Sequence, residues 1–127
     1  GIYDMLRVEL SPNGAFNTTE FGTVKNPEQF RALLAYSPLH NVKDGTRYPA
    51  VLFMTGANDP RVDPMQSRKM TARLQAADPA GLFLLRTSSN TGHGMGTPLA
   101  ERIEQTVDQY AFLFEQLGVK YKPMVGK

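Results

Sequence analysis

The chain has 127 residues, 41% of them hydrophobic and 20% charged, a composition typical of one globular domain or of part of one. Its 14 basic and 12 acidic residues leave a net charge of only +2, which does not indicate nucleic-acid binding. Without cysteine and with only two histidines, the chain offers no disulfide, no cysteine nucleophile and no multi-histidine metal site, and no apolar run approaches the roughly 20 residues that cross a membrane.

The N-terminal quarter contains few signals of regular structure. Residues 1–7 begin without methionine and are unusually apolar, so we expect the sequence to be cut from a larger protein. Residues 11–26 are rich in Ser, Pro, Asn, Gly and Thr, which predicts a loop with Phe16 and Phe21 as aromatic anchors.

The first predicted helix covers about residues 27–36. Asn26 can cap it, and Pro27 suits the first helical position. Gln29 can reach back to the cap as in a capping box. Pro38 ends the helix shortly after its last apolar residue.

Two short apolar runs predict buried strands at about residues 50–55 and 82–87. Gly56 ends the first run, and an acidic turn rich in proline follows it. The second run leads into a polar loop that contains the sequence Gly-His-Gly.

Two further helices are predicted at about residues 64–77 and 98–117, where apolar residues recur at helical spacing. Asp63 is most simply the N-cap of the first of these helices. Gly118 supplies a stop signal for the second, and residues 120–127 form a polar tail that we expect to be frayed.

The resulting order is helix, strand, helix, strand, helix. Continuous apolar strands that alternate with amphipathic helices predict a parallel sheet in the α/β class. Two strands alone leave long unpaired edges, which is a second indication that the chain is part of a larger domain.

One acid and one base follow the two predicted strands. Asp59 comes just after the first strand and His93 just after the second, so both belong to the same edge of the sheet. Alone, Asp59 is equally well explained as a turn residue, and His93 is better explained as an exposed surface histidine. Together they match the chain order of the acid and the base in an α/β-hydrolase triad, in which the carboxylate orients the imidazole.

The nucleophile of such a triad is missing from the sequence. None of the five serines lies in a G-x-S-x-G elbow, and Ser88 and Ser89 are interpreted as polar residues of the base-bearing loop. Arg61 is either an exposed arginine or a guanidinium that binds a substrate carbonyl or carboxylate. His40 is interpreted as structural.

Several short motifs together resemble the C-terminal part of the catalytic domain of the prolyl oligopeptidase family of serine peptidases. The resemblance extends from near residue 1 to about residue 117 and implies the C-terminal portion of an α/β-hydrolase fold, without the half that carries the nucleophile. The matching motifs are DMLR at residues 4–7, PEQF to YSPLHNVK at residues 27–43, YPA at residues 48–50, NDPRV at residues 58–62 and TGHGMG at residues 91–96.

The resemblance also implies roles for individual residues. Asp59 is the triad acid, His93 is the triad base and Arg61 holds a substrate backbone carbonyl. The serine is expected upstream of residue 1, so the chain alone should be inactive. Asn17 and Phe21 occupy substrate-binding positions where proline-specific members carry tryptophan and tyrosine, so the sequence does not predict cleavage after proline.

The implied function is hydrolysis of short peptides by a longer protein, with no cofactor, no metal, and neither nucleic acid nor a membrane as partner. An esterase or aminoacyl-peptidase on the same fold is the first alternative. The second alternative is a non-catalytic fragment that pairs through its exposed sheet edge with the rest of the parent chain or with another copy.

Overall fold

A computed structural model of the protein describes residues 1–94 and 96–122. The motif residue Met95 and residues 123–127 of the predicted frayed tail lie outside the described residues. The chain divides into two compact units, Gly1–Gly96 and Thr97–Lys127. In the part of the chain that the structure describes, no helix is both long and apolar enough to span a membrane.

The first unit contains both strands and most of the helices. The second unit contains one long helix. The described elements are two 3-10 helices (Val8–Leu10 and Gly14–Asn17), the helices α1 (Thr18–Phe21), α2 (Pro27–Tyr36), α3 (Pro38–Asn41), α4 (Met65–Ala77) and α5 (Leu99–Leu117), and the strands β1 (Val51–Gly56) and β2 (Phe83–Ser88).

The two strands form a parallel sheet, as the alternation of strands and helices predicts. Their register runs from Val51 opposite Phe83 to Gly56 opposite Ser88. Each strand therefore begins and ends one residue later than predicted. The reason is that Gly56, interpreted as a stop, is the last paired residue of β1.

Two apolar clusters stabilise the first unit. The larger cluster joins the sheet to α4 and contains Val42, Phe53, Leu74, Ala77 and Phe83. The smaller cluster contains Met5, Val8 and Leu33. The ring of Tyr3 packs edge-on against Phe53, with 5.5 Å between the ring centroids, so the N-terminal segment also contacts the larger cluster.

Helix α2 has the predicted bounds, and its predicted cap is confirmed. The side chain of Asn26 accepts hydrogen bonds from the N–H groups of Glu28 (2.9 Å) and Gln29 (3.2 Å). The capping-box prediction for Gln29 is wrong. Its side-chain oxygen Oε1 accepts instead from the N–H of Thr23, at 2.9 Å, because the chain before the cap folds back toward the helix.

The predicted loop of residues 11–26 contains short helical turns rather than irregular chain alone. The 3-10 helix Gly14–Asn17 leads directly into α1. The prediction that Phe16 is an aromatic anchor is wrong, since this residue is 86% exposed, and Phe21 is 37% exposed. Single aromatic residues in a polar stretch carry no periodicity that would show which way they face.

Helix α4 begins at Met65, one residue after its predicted start, and Asp63 accepts a hydrogen bond from the Met65 N–H at 2.8 Å. The buried side chain of Gln66 accepts hydrogen bonds from the N–H groups of Tyr3 (2.9 Å) and Asp4 (2.7 Å). The first turn of α4 is thereby linked to the N-terminal segment.

In the second unit, α5 begins at Leu99 rather than at residue 98. Gly118 ends it in the left-handed conformation, with a φ of 65°, which glycine adopts without strain. Val119 donates from its N–H to the carbonyl oxygen of Phe114 at 2.9 Å, which completes the stop signal predicted at this position.

Candidate active site

The candidate site lies where the two parallel strands end. The segment after β1, residues 57–64, is called the acid loop, and the segment after β2, residues 89–94, is called the base loop. Because the strands are parallel and in register, both loops leave the sheet at the same edge. The structure therefore brings together the two segments that the sequence marks as functional.

Ala57 and Asn58 donate three hydrogen bonds that link the acid loop to the end of β2 and to the base loop. The N–H of Ala57 donates to the carbonyl oxygen of Ser88 at 2.8 Å. The N–H of Asn58 donates to the carbonyl oxygen of Thr91 at 3.1 Å, and its side-chain amide donates to the carbonyl oxygen of Ser89 at 2.8 Å. Asn58, which the sequence marks only as a turn residue, is thus a link between the loops.

Gly56 permits the close approach of the two loops. A Cβ atom at this position would lie 2.4 Å from the carbonyl oxygens of both Thr91 and Gly92. Any larger residue would push the base loop away, so the glycine is required by packing as well as by the end of the strand.

The two predicted catalytic residues are in direct contact. The Nδ1 atom of His93 lies 2.9 Å from the Oδ2 atom of Asp59. An ionised carboxylate only accepts hydrogen bonds, so Nδ1 carries the proton and Nε2 is the acceptor of the neutral ring. The side chain of Asp59 is 11% exposed and that of His93 is 46% exposed, so the carboxylate is shielded while the imidazole remains accessible.

The second carboxylate oxygen of Asp59 is held by its own turn. Oδ1 accepts hydrogen bonds from the N–H groups of Arg61 and Val62, both at 2.9 Å. Burial by itself would raise the pKa of the Asp59 carboxyl. The hydrogen bonds from the Val62 N–H, the His93 ring and the Arg61 N–H outweigh burial and hold this pKa below its ordinary value.

Arg61 lies on the same turn, two residues after the acid, and is exposed. Its guanidinium forms no ion pair with any residue that the structure describes. A cavity of about 170 Å³ beside it is lined by residues of the acid loop and by residues 11–13. The side chain of Asn13 closes one side of this region by donating a hydrogen bond to the carbonyl oxygen of Pro60.

The other sequence-predicted site residues lie elsewhere on the first unit. Asn17 ends the 3-10 helix Gly14–Asn17, and Phe21 ends α1. Within residues 1–94 and 96–122, neither is hydrogen-bonded to Asp59 or His93. His40 forms a 2.8 Å hydrogen bond with the buried hydroxyl of Ser37, which agrees with the structural role expected for it.

Only one glycine of the Gly-His-Gly sequence needs an unusual backbone conformation. Gly94 has a φ of 91°, a region that disfavours side chains. Gly92 is instead placed close to the acid loop, since a Cβ atom there would lie 3.4 Å from the carbonyl oxygen of Asn58. Among the described residues, no group of three or more His, Asp or Glu side chains could hold a metal ion.

Comparison with known proteins gives a consistent result over nearly the whole chain. The model of the prolyl oligopeptidase family matches residues 1–120. Prolyl oligopeptidase ophP of Omphalotus olearius is 39% identical over 123 residues, which are 94% of this chain and 16% of that protein. Prolyl endopeptidase of Elizabethkingia miricola is 37% identical over 122 residues, which are 94% of this chain and 17% of that protein. The chain thus spans about a sixth of the length of these curated relatives.

Solved structures show the same relationship. A prolyl endopeptidase structure superposes with a TM-score of 0.88 at 43% identity and covers 94% of this chain and 18% of its own. Prolyl oligopeptidase B from Galerina marginata, bound to a 35mer hydrolysis and macrocyclization substrate, superposes with a TM-score of 0.87 at 31% identity over 96% of this chain and 18% of its own. The predicted partial α/β-hydrolase fold is confirmed, and the chain belongs to the prolyl oligopeptidase family.

Proposed function

We propose that this chain supplies the acid and the base of a Ser-Asp-His triad in a serine peptidase that hydrolyses short peptides. The observation that carries the proposal is the 2.9 Å hydrogen bond between Nδ1 of His93 and Oδ2 of Asp59 at the ends of two parallel strands. The nucleophile is a serine elsewhere in the complete protein, since none of the five serines here lies in a nucleophile elbow.

His93 acts in this proposal as general base and then as general acid. When the serine oxygen forms a bond to the carbonyl carbon of the substrate, its proton moves to Nε2 of His93. The same proton passes to the leaving amine when the peptide C–N bond breaks, which leaves an acyl-enzyme. Water then attacks the acyl carbon and gives a proton to His93. When the bond between the acyl carbon and the serine oxygen breaks, His93 returns this proton to the serine oxygen, which releases the acid product and regenerates the serine.

Asp59 keeps the imidazole in the tautomer that this cycle requires. Its Oδ2 accepts the Nδ1 proton, so Nε2 is available to the serine, and its negative charge stabilises the imidazolium formed during each proton transfer. The two backbone hydrogen bonds to Oδ1 fix the carboxylate within its own turn. The lowered pKa of Asp59 keeps this carboxyl ionised throughout the neutral pH range.

Arg61 binds a backbone carbonyl of the substrate in this proposal. Its exposed guanidinium, the cavity beside it and its place two residues after the acid support the assignment. Asn17 and Phe21 are proposed as substrate-contacting residues. Because neither provides the large flat ring of a tryptophan, we do not assign a preference for proline.

Steady-state kinetics of the complete protein test the proposal. We expect Asp59→Asn and His93→Ala each to lower kcat by about 10³- to 10⁴-fold on a short peptide, because each change removes a triad function. Asp44→Asn, the same carboxylate-to-amide change at an exposed aspartate, is the matched control and should leave kcat unchanged. Wild-type activity in either triad variant would overturn the proposal.

A second assay separates a peptidase from an esterase on the same fold. We expect the complete protein to hydrolyse the amide bond of a short peptide, which an esterase cleaves poorly because an amine is a poorer leaving group than an alcohol. The isolated 127-residue chain should hydrolyse neither the peptide nor a simple ester. Hydrolysis of the simple ester without measurable hydrolysis of the peptide would favour the esterase alternative.

A further inference from the structure

Asn58 connects the two loops of the candidate site through both its backbone and its side chain. The backbone N–H donates to the carbonyl oxygen of Thr91 at 3.1 Å, and the side-chain amide donates to the carbonyl oxygen of Ser89 at 2.8 Å. Both acceptors precede His93 in the base loop. One residue, adjacent to the acid, therefore holds the base loop at two points.

The paired strand ends and the hydrogen bond from the Ala57 N–H to Ser88 place the two loops at one edge of the sheet, and Asn58 adds the links to the base loop itself. On the acid side, the Asp59 carboxylate is held by the N–H groups of Arg61 and Val62, which belong to its own loop. Apart from the Asp59–His93 contact itself, Asn58 makes two hydrogen bonds from the acid loop to the base loop, one to Thr91 and one to Ser89.

We propose that Asn58 is a positioning residue for the acid–base pair. Its side-chain amide holds the carbonyl of Ser89, and hence the base loop, so that Nδ1 of His93 stays within hydrogen-bond reach of Asp59. The inference deepens the proposed function and rests on it, since positioning matters for rate only if Asp59 and His93 form a catalytic pair.

The chemistry of the side chain explains why an amide suits this position. A carboxylate of the same shape would face the Ser89 carbonyl oxygen without a proton to donate, and alanine would leave that carbonyl to water. Either change leaves the Asp59 turn and the backbone hydrogen bond to Thr91 intact but removes the side-chain hydrogen bond that holds the base loop at Ser89. Small displacements of a reacting group lower the rate strongly without a comparable effect on substrate binding.

The experiment compares variants of the complete protein by kcat, KM and melting temperature. We expect Asn58→Ala to lower kcat between about threefold and tenfold while KM changes less than about twofold, as for the loss of one hydrogen bond. Asn58→Gln keeps an amide donor and should recover part of the lost kcat. Asn90→Ala, in the same base loop, is the matched control, because its side chain makes no hydrogen bond within the described residues.

Two results would overturn a positioning role for Asn58. A kcat for Asn58→Ala equal to that of Asn90→Ala would overturn it. So would a parallel change in kcat, KM and melting temperature that Asn58→Gln does not reverse, since that pattern indicates a structural role alone. Asp59→Asn is assayed beside them: if it is fully active, the proposed function fails, whereas if only Asn58→Ala is without effect, the positioning inference fails.

Discussion

The charge of Asp59 depends on hydrogen bonds that come from two separate parts of the chain. Arg61 and Val62 donate from the next turn of the backbone, and His93 donates from a loop 34 residues away. The first two bonds follow from local sequence, because Asp in a turn commonly accepts from N–H groups two and three residues later. The third bond exists only when the sheet brings the two loops together.

The lowered pKa of Asp59 predicts how stability changes with pH. A carboxyl whose pKa is lower in the folded state stabilises that state above its unfolded pKa, about 3.9, and this contribution is lost as pH falls through the folded value. Wild type should therefore have a larger free energy of unfolding than Asp59→Asn at pH 7, and the difference should shrink below about pH 4. Urea denaturation of both proteins at pH 7 and below about pH 4 measures this difference in the free energy of unfolding. A difference that stays constant down to pH 2 would contradict the prediction.

The proposed role of Arg61 in substrate binding can be tested separately from the roles of Asp59 and His93. If its guanidinium binds a substrate carbonyl, Arg61→Ala should lower kcat/KM of the complete protein by about 10- to 100-fold, as for the loss of a charge-assisted hydrogen bond. Arg61→Lys should restore only part of this loss, because an ammonium lacks the planar pair of donors. Arg68→Ala, an exposed arginine of α4, serves as the control. Equal kinetics for Arg61→Ala and Arg68→Ala would remove Arg61 from the site.

The last residue of β1 determines whether the acid loop and the base loop can lie close to one another. Gly56 is both the last paired residue of the strand and a position at which an added Cβ atom would collide with the base loop. The sequence marks it only as a glycine after an apolar run. The steric requirement appears only when the partner strand is present.

Gly56→Ala should therefore destabilise the protein by about 1–3 kcal/mol, because the added methyl group overlaps two carbonyl oxygens of the base loop. Gly92→Ala is the matched control. Its methyl group would meet its nearest neighbours at 3.4 and 3.6 Å, so its stability should equal that of wild type within about 1 kcal/mol. Urea denaturation measures both. Equal stability of the two variants would show that the close approach is not required.

The elements that the sequence predicts well are those with local start and stop signals. Helix α2 has its predicted bounds because Asn26, Pro27 and Pro38 act within a few residues of one another. The strands are each displaced by one residue because pairing, not composition, determines where they end. The aromatic residues Phe16 and Phe21 could not be placed, since the direction of a side chain in a short turn is set by distant contacts.

The candidate site is also predicted by the sequence only in part. The positions of Asp59 and His93 follow from the strand order, which the apolar runs make visible in the sequence. The link that Asn58 makes to the base loop cannot be predicted from the sequence. Its acceptor is a backbone carbonyl 31 residues away, and any residue has such a carbonyl. The hydrogen bond from Asn13 to the carbonyl oxygen of Pro60 cannot be predicted from the sequence for the same reason.

The chain spans about a sixth of the length of its curated relatives. It carries a carboxylate and an imidazole in contact, but its own serines are not placed as nucleophiles. Ser88 is buried at the end of β2, and Ser89 accepts a hydrogen bond from Asn58 through its carbonyl oxygen. The proposed function therefore gives catalysis to the complete protein, with Asp59 and His93 of this chain as its proposed acid and base.

If Asp59 and His93 activate a serine outside this chain, as we propose, a fluorophosphonate that reacts with activated serines should label that serine, with the site of labelling read by peptide mass mapping. We predict labelling of the complete protein at one serine outside residues 1–127, a labelling rate about 10³-fold lower in His93→Ala, and no labelling of the isolated chain. Labelling at Ser88 or Ser89, or a rate that His93→Ala leaves unchanged, would contradict it.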